Sequence, residues 1–130
     1  MTRVLLIGIA PEAVNLSDPD LPPGITHEAI AAGIETAMAD MKERGWHAAF
    51  CSVLTDDSAE ATIAALLRES WDCVVIGGGI RIPRSGLRFF ERVVNAVGRG
   101  APGTPIAFNT SPEDSVNAAA RWLAEPKPAR

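Results

Sequence analysis

Val4-Leu5-Leu6-Ile7-Gly8-Ile9 is an unbroken apolar run, and Cys73-Val74-Val75-Ile76 is a second. A strand with one face in water alternates polar and apolar residues. A strand without alternation is covered on both faces, as in a parallel sheet between two helical layers. Parallel neighbours need crossover connections, which are usually helical, so these runs restrict the chain to α/β architectures.

The intervening sequence supplies the crossovers. Ile30, Ile34, Ala37, Met38 and Met41 repeat at helical spacing. Thr26 stands as N-cap, Ile25 and Ile30 as a hydrophobic staple, and Gly45 as the stop. Trp46 to Leu54 reads as the second strand, and Asp57 with Glu60 as a capping box opening a helix striped by Ile63, Leu66 and Leu67. A third helix is expected from Ser85 to Val97, ending near Gly98 and Gly100, then a strand from Thr104 to Asn109. Ser111-Pro112-Glu113-Asp114 predicts a Ser-capped fourth helix, closed by Pro126 and Pro128.

Four successive βα units with right-handed crossovers predict a three-layer αβα sandwich, Rossmann-like, with a four-stranded parallel sheet of order 2-1-3-4. Helices 1 and 4 should cover one face, and helices 2 and 3 the other. The length fits one domain over residues 1–125, with 126–130 as a disordered tail.

Composition excludes some functions. Tyrosine is absent and aromatics make up 5%, which disfavours base-stacking on single-stranded nucleic acid, as does the net charge of −4. The charge is uneven: residues 1–80 hold 4 basic and 12 acidic residues, residues 81–130 hold 8 and 4. Such a split suits either an anion site or self-association. Cys51 and Cys73 fall in apolar runs without CxxC spacing and read as buried thiols. The N-terminal apolar run is too short to span a membrane and has no fitting cleavage site, so a cytoplasmic protein is expected.

In open α/β sheets, ligands sit at the carboxyl edge where strand order reverses, here between strands 1 and 3. Gly8 and the triplet Gly77-Gly78-Gly79 should meet there. Glycine lets backbone N–H groups approach a ligand, and Arg81, Arg84 and Arg88 follow, so an anion is the expected guest. The bland alternative is that the glycines serve tight packing and the arginines are solvated. Gly8, Gly77, Gly78, Gly79, Arg81, Asn109 and Thr110 are the expected ligand-binding residues, while helix capping accounts for Ser111. The long connection from Ala10 to Ile25, with Pro11, Pro19, Pro22 and Pro23, should cross the mouth. Its Glu12, Asp18 and Asp20 could pair with Arg81 or Arg84.

Element order resembles that of the Rossmann-like and flavodoxin-like group, and the overall pattern looks like small bacterial α/β proteins. That resemblance implies a fold and carries no function. Val74-Val75-Ile76-Gly77-Gly78-Gly79 is similar to the start of a G-x-G-x-x-G fingerprint, but Ile82 replaces the last glycine. Asn109-Thr110 also stands where a ribose-binding acid would close the next strand, which argues against NAD(P) and leaves the cofactor unknown.

No catalytic or metal-ligating residue can be named. His27 and His47 lack partners at motif spacing and read as surface residues, Asp56-Asp57 reads as capping, and zinc spacing is absent. The expectation is a small-molecule-binding domain, with whether it catalyses anything left open. The alternative is a non-catalytic structural or homo-oligomeric module using helix 3, whose apolar face is broad, or the 10–25 loop.

Overall fold

The computed structural model describes residues 1–123, so the tail expected at 126–130 lies outside the described residues. Strands β1 (Arg3–Ile9), β2 (His47–Val53), β3 (Cys73–Ile76) and β4 (Ile106–Phe108) form one parallel sheet of order β2-β1-β3-β4. Helices α1 (His27–Glu43) and α5 (Ser115–Ala120) cover one face. The other carries α2 (Ala59–Leu66) and α4 (Leu87–Gly100), and α3 (Gly78–Arg81) is a single turn directly after β3. Order, direction and layering are those the apolar runs predict.

Alternate residues of β1 enter the two cores. Leu5 and Ile7 face Ile63 and Val93. Val4 and Leu6 face Ala37, Met41 and Ala119. All four strand residues are at most 2% exposed, and burial of each such side chain contributes about 1.5–3 kcal/mol. Cys51 and Cys73 are free and buried, and desolvation pushes each thiol up to about 11, so neither is a thiolate at neutral pH.

Several boundaries differ from expectation. Thr26 Oγ1 accepts from Ala29 N–H at 3.1 Å as the cap of α1, and Gly45 ends that helix at φ +83°. The capping box at Asp57 does not form. Asp56 instead accepts from Ser58 N–H, α2 starts at Ala59, and Glu60 turns to Arg92. Helix α4 runs through Gly98 to Gly100, because Gly100 leaves room for Leu67: a Cβ there would lie 2.6 Å from Leu67 Cδ1. The broad apolar face of α4 is thus used within the chain by the sheet and by the α2 segment. Leu87 at its start stays 59% exposed. Among the described residues, no helix is long and apolar enough to cross a membrane.

Arg92 clips α4 to α2: its Nε donates to Glu60 Oε2 at 2.8 Å and its Nη2 to Asp56 O at 2.9 Å. Hydrogen bonding from Arg92 holds the Glu60 carboxyl down at about 2, against an ordinary value of 4.5. A carboxyl depressed by folding stabilises above its unfolded pKa and loses that contribution as pH falls through the folded value. Between pH 4.5 and 2, wild type should therefore lose stability more steeply than Glu60→Gln, measured by urea unfolding across that range. Parallel curves would show that the clip contributes nothing.

Candidate functional site

The β1 and β3 carboxyl ends lie side by side, and the chain leaves them towards opposite faces. Gly77 N–H donates to Ile7 O at 2.8 Å, and a Cβ on Gly77 would stand 3.2 Å from that oxygen and 3.7 Å from Gly8 Cα. Gly8 in turn lies under Phe50, whose Cε1 would be 3.0 Å from an added Cβ. Gly78 is tighter still, with Thr110 O at 2.9 Å from where its Cβ would be. Three of the four expected glycines therefore serve close packing of the backbone. Gly79 does not: nothing lies within 4 Å of its would-be Cβ.

Asn109 joins the elements around this point. It is 2% exposed; its Oδ1 accepts from Gly78 N–H at 2.7 Å and its Nδ2 donates to Ser115 Oγ at 2.9 Å. Its backbone carbonyl accepts from Arg81 Nη2 at 3.0 Å. One side chain and its carbonyl thus bind α3, β4 and the start of α5 together. Thr110 is engaged as well, donating its N–H and hydroxyl to Asp114.

The expected helix start at Ser111 is replaced by a 3₁₀ turn over Pro112–Asp114, with α5 beginning at Ser115. Ser111 makes no capping hydrogen bond, and capping does not account for it. It faces a cavity instead.

That cavity, of about 110 Å³, opens between the β1 and β3 ends on the α1 side of the sheet. Its apolar walls come from Ile9 and Phe50 of the sheet, Ile30 and Ile34 of α1, and Ile82 after α3. Gly8, Gly78, Gly79 and Thr110 line it too, so four of the seven expected residues sit at one site. Gly77 lies behind them. Arg81 and Asn109 do not line it, being bonded to each other.

The long connection closes the mouth. Val14, Leu21, Pro22 and Ile25 form the outer wall. Asp20 meets Arg84 at 3.0 Å and accepts from its backbone N–H at 2.8 Å, while Asp18 accepts from Ser85 Oγ at 3.1 Å. Hydrogen bonds from Arg84 hold the Asp20 carboxyl below its usual range. At the inner end, His27 Nε2 lies 3.0 Å from Val14 O, so His27 is half-buried and partnered. The expected acid–arginine pairing thus falls on Arg84, not Arg81.

A second, more polar cavity of about 320 Å³ lies across the connection from the first. Asn15, Asp18, Thr55 and Ser85 provide its polar groups, and Ile9, Val14, Leu21 and Gly79 line both. The apolar linings of the connection escaped sequence reasoning, although Val14, Leu21 and Ile25 stand out as bulky apolar residues in a proline-rich stretch. Among the described residues, no three His, Cys, Asp or Glu side chains group as a metal site. No protein-family model, curated protein or solved structure matches the chain.

Asn109→Ala leaves Gly78 N–H buried without its partner, which costs about 1–3 kcal/mol, and takes one of two hydrogen bonds from Ser115 Oγ, which still donates to Pro112 O. Thermal unfolding should therefore show a clearly lowered Tm for Asn109→Ala. Thr110→Val, which removes only an exposed hydroxyl bond, should change it far less.

Proposed function

We propose that this protein is a small-molecule-binding domain whose ligand occupies the crevice between the β1 and β3 carboxyl ends, beneath the 10–26 connection. The observation that carries the reading is the apolar cavity at the switch point, where open α/β sheets place their ligands. A cavity of this volume with walls mainly of Ile, Leu and Phe suits a guest about the size of a benzene ring. An aromatic ring or short branched chain fits the walls, and Ser111 is a hydroxyl free of capping duty for one polar atom.

The groups expected to hold an anion are engaged elsewhere. Gly78 N–H and Arg81 are bonded to Asn109, and Arg84 is bonded to Asp20. The lining of the first cavity holds no charged residue, and that of the second holds Asp18 alone. The reading therefore favours a ligand with an apolar body over phosphorylated or nucleotide ligands.

Titration of ¹⁵N-labelled protein with indole, and separately with inorganic phosphate, tests this. Indole should produce saturable shifts at the Gly8, Gly79 and Ile82 amides, and phosphate should produce none. No saturable shift with indole, or phosphate binding at those amides, would refute the reading.

A further inference from the structure

Gly79 is a glycine that folding does not explain. Its φ is not positive, and its would-be Cβ meets no atom within 4 Å. Among the described residues only Gly98 shares both properties, and it stands on the exposed side of α4 and lines neither cavity. Gly79 lies in a helical turn, where alanine would be the more stable residue. It also lines both cavities, at the partition it shares with Ile9, Val14 and Leu21. A methyl group here would meet open space rather than another part of the fold.

We infer that Gly79 is the point where an elongated amphipathic ligand passes from the apolar cavity into the polar one, against the bare backbone. The inference rests on the binding reading above and adds the ligand's shape and polarity. Its apolar end lies among Phe50, Ile34 and Ile82, and its polar end lies near Asp18, Asn15 and Ser85. Asp18 is the one charged residue lining either cavity, so the polar end carries hydrogen-bond donors, an ammonium or a hydroxyl. A carboxylate or phosphate there would face Asp18 without a compensating cation in the lining.

The test uses 3-phenylpropylamine, 3-phenylpropanol and 3-phenylpropionate as probes, with affinities from amide shifts, on wild type, Gly79→Ala and Asp18→Asn. In wild type the amine should bind at least about tenfold more tightly than the carboxylate, with the alcohol between them. Gly79→Ala should keep or raise Tm yet weaken amine binding by at least about tenfold. Asp18→Asn should bring amine and carboxylate together. Equal amine and carboxylate affinities in wild type, or unchanged amine binding in Gly79→Ala, overturns this inference while leaving the indole result standing. Silence of wild type towards indole as well as all three probes removes both readings. The wild-type comparison decides the matter even if one variant fails to fold.

Discussion

Pairing of β1 on both edges, with β2 on one side and β3 on the other, is the constraint from which the rest follows. A central strand hydrogen-bonded on two sides must be apolar on both faces, which is why its sequence shows no alternation. The crossover from β1 to β2 and the one from β1's other neighbour to β4 then leave the sheet in opposite directions. The gap between them is a product of that topology.

How closely the backbones meet at the gap is set by side chains that are missing. Removal of Cβ atoms at Gly8, Gly77 and Gly78 lets Phe50, Ile7 O and Thr110 O come within contact distance. Asn109 then fixes the arrangement by satisfying a backbone donor and a buried hydroxyl at once. Glycine loops read from sequence as ligand cradles need this distinction. Where a neighbour would block the Cβ, the glycine serves the fold, and only where nothing would block it does a ligand become the better explanation.

The fold was legible because its signals are periodic and strong: unbroken strands, an apolar helical stripe on α1 and a cap at Thr26. The meeting of Gly8 with the triplet followed from strand order alone. Helix starts were less legible because several side chains compete for the same backbone donors. Asp56 took the Ser58 N–H, the Asp114 N–H went to the carbonyl of Ser111 rather than to its hydroxyl, and the triplet began a helical turn where glycine's low propensity suggested an open loop. The bond from Arg81 to the Asn109 carbonyl was not legible because it joins residues 28 apart along the chain. Polarity of the crevice was hidden for a similar reason, since its outer wall comes from a connection without periodicity.

The connection from Ala10 to Thr26 has a thermodynamic consequence. Short turns, closed by Ala13 N–H to Ala10 O, Val14 N–H to Pro11 O, Asp18 N–H to Asn15 O and Leu21 N–H to Asp18 O, and a few side-chain bonds hold it in place. Such sparse bonding would poorly restrain an ordinary segment of that length. Pro11, Pro19, Pro22 and Pro23 each have φ fixed before the chain folds, so the unfolded segment samples fewer conformations and loses less entropy on ordering. The wall of the crevice is stiffened in advance by its covalent chemistry, and a guest arriving beneath it has little disorder left to quench.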